Sequence, residues 1–180
     1  MACFNNVLHC FCRKLFLGRR SLVSVSPTIP ELREMTISIW MRTQQQSEGT
    51  VLSYATENQP KGLVITTHPR LTVILNVYRH YTSKTVTLND GNWHFLSVTW
   101  SARTGIFAVR GREETYIWTT RRHSKKLLQG GGYLVLGKCQ IAQKEIDEAG
   151  AFVVEISNLN IWDISKSINP FPSKRFPIDE

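Results

Sequence analysis

Apolar residues recur at every second position along most of this chain. Ile37, Ile39 and Met41 alternate with Thr36, Ser38 and Arg42, and Leu96, Val98 and Trp100 alternate with Phe95, Ser97 and Thr99. Leu71, Val73, Leu75 and Val77 share one parity, and Leu134 and Leu136 follow a glycine run. Phe152, Val154 and Ile156 alternate with Val153 and Glu155, and Leu159 and Ile161 lead on to Trp162. Successive side chains of a β-strand point to opposite faces, so a period of two predicts strands with one buried face. Turn signals separate the runs: Asn89-Asp90-Gly91-Asn92, Arg103-Thr104-Gly105 and Gly130-Gly131-Gly132. No amphipathic helix longer than about two turns is evident. Many short strands with regular turns predict an all-β fold, either two antiparallel sheets packed face to face or a barrel. Trp93, Trp100 and Trp162 are expected to pack in its core.

Length and composition fit that picture. The chain has 180 residues, 42% of them hydrophobic and 20% charged, which suits one globular domain. Strands are expected from about Ser21 to residue 168. Residues 1–20 form an N-terminal extension, expected to be poorly ordered or the ragged start of a longer protein. Pro170, Pro172 and Pro177 make residues 169–180 an extended tail. No apolar run reaches 18 residues, so no transmembrane helix is expected. The basic residues Arg13, Lys14, Arg19 and Arg20 follow the apolar N-terminal stretch, the reverse of a secretory signal.

Net charge is +8. The densest positive run is Arg121-Arg122-His123-Ser124-Lys125-Lys126. Arg121, Arg122, Lys125 and Lys126 are candidates for an anionic ligand such as a sulfated glycan, or else form a charged edge that discourages strand pairing. No aromatics interleave the run, so base stacking and a nucleic-acid partner are not expected. The four cysteines are Cys3, Cys10, Cys12 and Cys139, and no pair lies within the main body. Cys10 and Cys12 lack the second ligand pair of a zinc site. No GxSxG elbow, P-loop or HExxH occurs.

Five strings, in order, resemble the pentraxin family: Met35 to Thr43 (MTISIWMRT), Gly49 to Thr56 (GTVLSYAT), Asp90 to Ser101 (DGNWHFLSVTWS), Gly132 to Gly137 (GYLVLG) and Phe152 to Asp163 (FVVEISNLNIWD). The resemblance runs from about residue 21 to 165. It implies a two-sheet jelly roll of the concanavalin A-like and laminin-G-like kind, a secreted, extracellular setting, a tendency to form homo-oligomers, and recognition of a glycan, lipid headgroup or protein ligand through calcium. The alternative reading is a structural or oligomerisation module that has lost ligand binding.

The resemblance also shows what has changed. Pentraxins join the early core strand to the signature strand by a disulfide, and the matching positions here are Ser38 and Ser97. The family's Asp-Asn calcium pair falls on Pro60 and Lys61, so Glu57 and Asn58 would have to substitute. The later Glu-Gln-Asp cluster falls on Cys139, Gln140 and Ile141, and a further ligand falls on Asp147. Calcium takes six to eight oxygens, several of them charged. The tentative set Asp147, Gln140, Asn58 and Glu57 therefore predicts weak or absent calcium binding. Concanavalin-like glycosidases need carboxylates on one strand face. Glu145 and Asp147 begin such a row, but position 149 is alanine, so no enzyme activity is expected.

Overall fold

The computed structural model describes residues 7–11, 14–25, 29–67, 71–75, 80–84, 88–111, 114–119, 127–147 and 151–165. For the strands at 7–11, 71–75, 80–84 and 114–119 only the backbone is described.

Period two becomes two antiparallel sheets. One sheet has seven strands, in the order β1 (Val7–Phe11), β15 (Val154–Trp162), β4 (Glu34–Arg42), β9 (His94–Ser101), β10 (Ile106–Gly111) and β11 (Glu114–Thr119), with β2 (Leu15–Leu17) also paired to β15. The other has six: β3 (Val23–Val25), β12 (Tyr133–Leu136), β5 (Gly49–Ala55), β6 (Leu63–Thr67), β7 (Leu71–Leu75) and β8 (His80–Lys84). A small hairpin, β13 (Cys139–Ala142) with β14 (Glu145–Asp147), stands apart and contacts β5. The fold is a jelly roll.

The inward parities meet in one core. Met35, Ile37, Ile39 and Met41 from β4 and Leu96, Val98 and Trp100 from β9 are buried against Leu52, Tyr54, Leu63 and Ile65 of the facing sheet. Burying side chains of this size contributes about 1.5–3 kcal/mol each relative to exposure, so these rows dominate stability. On β15 the parity changes. Val154 and Ile156 point inward, and so do Leu159 and Ile161. A register shift between Ser157 and Asn160, with Asn158 at a φ of 50°, inserts the extra residue that makes both sets face the core. Gly49 is required by packing: a Cβ there would fall inside the buried Phe152 ring.

Two sequence expectations change. Strands begin before Ser21, because β1 and β2 occupy successive stretches of the β15 edge, at Leu159–Trp162 and Val154–Ile156. Of the three tryptophans, only Trp100 is in the core, fully buried; Trp93 and Trp162 are half-buried. Their positions explain this. Trp93 has the parity of Phe95 and Ser97, opposite to Trp100, and Trp162 follows inward-facing Ile161, so both belong to the outer face. Residues 169–180 lie outside the described residues.

Ser38 and Ser97 are direct partners across β4 and β9. The positions that the resemblance assigns to a disulfide therefore do face each other. Here the Ser97 hydroxyl donates to the Ile37 carbonyl at 3.0 Å instead.

Candidate functional site

The β13–β14 hairpin covers the outside of β5, which is why every residue of β5 is buried although the strand alternates. Its anchor is Gln140. The Gln140 amide nitrogen donates to the main-chain oxygens of Ser53 (3.0 Å) and Tyr133 (2.9 Å). The Ser53 hydroxyl accepts from the Gln140 main-chain N–H at 3.1 Å and donates to the Lys138 carbonyl at 2.8 Å. Gln140 thus staples the hairpin to two strands of the sheet. Its side-chain oxygen is buried and has no hydrogen-bond partner.

Cys139 lies beside it, paired across the hairpin with Asp147. Burial pushes the Cys139 thiol up, against the pull of Lys61 and a hydrogen bond with Thr50; Asp147 and Glu48 add to the rise. A lysine cation and the Asp147 carboxylate therefore both stand within electrostatic reach of Cys139.

Glu57 and Asn58 are held elsewhere. The turn after β5 is closed by Thr56 N–H to Gln59 O at 3.0 Å and Gln59 N–H to Thr56 O at 3.3 Å. Gln59 pins that turn to the next segment, donating to the Leu127 carbonyl at 3.0 Å and accepting from the Gln129 N–H at 3.0 Å. Glu57 and Asn58 are left exposed at the tip. Of the four candidate ligands, Gln140 and Asp147 share the hairpin, on adjoining pairs of its ladder, while Glu57 and Asn58 sit on a different loop. Among the described residues no group of three or more His, Cys, Asp or Glu could hold a metal ion. One unpartnered amide oxygen and one carboxylate are far short of six oxygens, and Lys61 adds repulsion. Among the described residues the four candidate ligands are not gathered into one site.

Arg121, Arg122, Lys125 and Lys126 lie outside the described residues.

A second polar cluster, not anticipated from the sequence, lies on the outer face of the seven-stranded sheet. Register places Phe16 of β2 beside Glu155 of β15, and Glu155 beside Arg42 of β4. Arg42 forms a two-point ion pair with Glu155, Nε to Oε1 at 2.8 Å and Nη2 to Oε2 at 2.7 Å. Its guanidinium carbon also lies 5.2 Å from the Trp93 ring centroid. On the same face, Trp40 and Phe95 meet edge to face with centroids 5.5 Å apart. A cleft of about 330 Å³ opens beside the ion pair, lined by Phe16, Arg42, Thr43, Gln44, Gly91, Val153, Val154 and Glu155. Gly91, at a φ of 80°, carries this rim: a Cβ would meet the Gln44 amide nitrogen at 2.9 Å. Parity was the signal available, since Trp40, Arg42, Trp93 and Phe95 all oppose the inward rows.

The sequence profile of the Pentaxin family matches residues 19–170. The chain belongs to this family. Among curated pentraxin relatives, the mouse sushi, von Willebrand factor type A, EGF and pentraxin domain-containing protein 1 is 31% identical over 148 residues, which is 81% of this chain and 4% of that protein. Human neuronal pentraxin-2 is 30% identical over 141 residues, 77% of this chain and 33% of that protein. The chain thus spans a third or less of the curated relatives it matches. Among solved structures, the heptameric SAP-like pentraxin from Limulus polyphemus superposes with a TM-score of 0.73 at 20% identity, over 86% of this chain and 76% of that one. The LG1-3 region of the laminin alpha2 chain gives 0.63 at 18% identity, over 86% of this chain and 28% of that one. These two establish the shared fold. Among the described residues no helix is long and apolar enough to cross a membrane.

Proposed function

We propose that this pentraxin is a non-catalytic recognition module that engages its ligand without calcium. The observation that carries the reading is the state of the β13–β14 hairpin. Gln140 is committed to the main chain of β5 and β12, Cys139 and Ile141 flank it, and Lys61 supplies positive charge where the family's calcium pair would fall. A cation already built into the chain disfavours a second one beside it. The family supplies the rest of the proposal: an extracellular setting, a glycan, lipid headgroup or protein as ligand, and assembly into a homo-oligomer.

Thermal melting against a panel of oligosaccharides and phospholipid vesicles, run in EDTA and again in millimolar calcium, tests this. The expected result is a ligand-dependent rise in Tm that is the same in both buffers. A rise seen only with calcium would overturn it. No rise with any member of the panel would favour a purely structural or oligomerisation module.

A further inference from the structure

The row Phe16–Glu155–Arg42–Trp93 crosses the outer face of the seven-stranded sheet, on different elements from the β13–β14 hairpin. Its chemistry is specific. Phe16 is 67% exposed, a large apolar ring left in water at the sheet edge. Next to it, Arg42 and Glu155 hold each other by two hydrogen bonds while remaining 38% and 30% exposed. The ion pair is therefore accessible as well as fixed in place. Gln44 is exposed, and its side-chain amide makes no hydrogen bond to any described residue. Thr43 is committed, donating to the Val153 carbonyl at 2.7 Å and accepting from the Gln45 N–H at 3.1 Å. Half-buried Val153 adds an apolar side chain to the cleft beside Phe16.

Charge decides the ligand class. Among the described residues lining the cleft, Arg42 and Glu155 are the charged ones, and their charges are opposite. An anion such as sulfate or phosphate would have to displace Glu155 from Arg42, and a cation would have to displace Arg42 from Glu155. A neutral ligand that both donates and accepts hydrogen bonds displaces neither. It needs a flat apolar face for Phe16 and neighbouring hydroxyls for the carboxylate, the guanidinium and the Gln44 amide. A pyranose sugar has both, with C–H groups on one face and vicinal hydroxyls at its edge. Size agrees: a volume of about 330 Å³ lies at the lower end for small-molecule sites, suited to one or two sugar rings. Strand spacing puts Phe16 about 10 Å from Arg42 across the row, a distance that two linked rings can span.

We propose that the cleft between Phe16, Gln44 and the Arg42–Glu155 pair is a calcium-independent site for neutral glycan. It deepens the recognition reading by naming a site and a ligand class, and it stands whether or not the β13–β14 hairpin takes calcium.

The test is an array of neutral, sialylated and sulfated oligosaccharides probed in EDTA with the whole chain and with F16A, Q44A and D147A. Expected is binding to neutral glycans, weakened about tenfold or more by F16A and Q44A, the scale set by losing one good stacking or hydrogen-bond contact. D147A should bind as the wild type does. Phe16 and Gln44 are exposed, so melting temperatures of both variants should match the wild type and show that they fold. Binding of anionic glycans only, no glycan binding, or unchanged binding by F16A and Q44A would each overturn the site. Glycan binding that survives F16A and Q44A in EDTA would overturn the cleft while leaving calcium-free recognition intact.

Discussion

The two outer surfaces of this jelly roll are built differently. On the seven-stranded sheet, polar groups are arranged in rows set by strand register: Ser38 opposite Ser97, Glu155 opposite Arg42, Thr36 opposite Thr99 with their hydroxyls 2.6 Å apart. Each row rests on an inward neighbour that is completely buried. On the other sheet the β13–β14 hairpin is anchored through Gln140 and the Ser53 hydroxyl, and among the described residues its charged groups form no metal-binding cluster. The lesson concerns what a fold protects. Substituting Ile39 or Trp100 would disturb packing on both sheets. Substituting an exposed residue of the hairpin leaves the core alone.

The largest expected effect lies in the framework. Phe152 is fully buried and packed on Gly49. Phe152→Ala should cost about 3–5 kcal/mol by denaturant unfolding, from lost burial and the cavity left behind. Similar in size but opposite in sign is the double change Ser38→Cys with Ser97→Cys. A bridge there would close a loop of about 60 residues and stabilise the oxidised form by roughly 4 kcal/mol in the chain-entropy model, read as the Tm difference between oxidised and reduced protein. The hairpin should divide its residues by role. Gln140→Ala leaves the Ser53 and Tyr133 carbonyls without their donor and should cost about 1–3 kcal/mol. Asp147→Ala should change stability by less than about 0.5 kcal/mol, as for a surface site. Equal losses from the two would show that the hairpin is built differently.

The smallest effect concerns acid. Partial burial works to raise the Asp90 carboxyl, but hydrogen bonds from His94 and Asn92 and the nearby His94 ring outweigh it, holding the group at about 2 against an ordinary 3.8. A carboxyl depressed in the folded state stabilises above its unfolded value and loses that contribution as protons bind to the fold. The turn into β9 should therefore be at full strength above about pH 4 and weaken between about pH 4 and 2. Asp90→Asn should flatten that part of a Tm-against-pH curve. The Asp90 carboxylate is largely solvated, so the slope is expected to be shallow. An unchanged acid limb in Asp90→Asn would contradict the assignment.

Much of the fold could be read from parity alone, because the inward rows Met35–Met41 and Leu96–Trp100 carry the burial signal without interruption. The bulge at Asn158 was hidden, since the sequence changes phase there without a glycine or proline to mark it. β1 and β2 were hidden for another reason. They are short, irregular in pattern, and exist because β15 offers an edge to pair with, a tertiary cause that local sequence does not carry. At the candidate site, the part played by Gln140 was not legible. Whether an amide ligates or staples depends on the main-chain carbonyls around it, and those come from β5 and β12. Trp93 shows a similar limit. Its size suggested the core, whereas its parity, opposite to Trp100, put it on the outer face beside Arg42.

The central claim is a pentraxin framework that works without the family's calcium. Calorimetric titration of the whole chain with calcium tests it most directly, alongside melting in EDTA and in millimolar calcium. The account predicts no saturable heat and the same Tm in both buffers. A site with a Kd near 10 μM would, at about 1 mM calcium, add roughly 2.7 kcal/mol and raise Tm by several degrees. Micromolar affinity that Asp147→Ala abolishes would contradict the account.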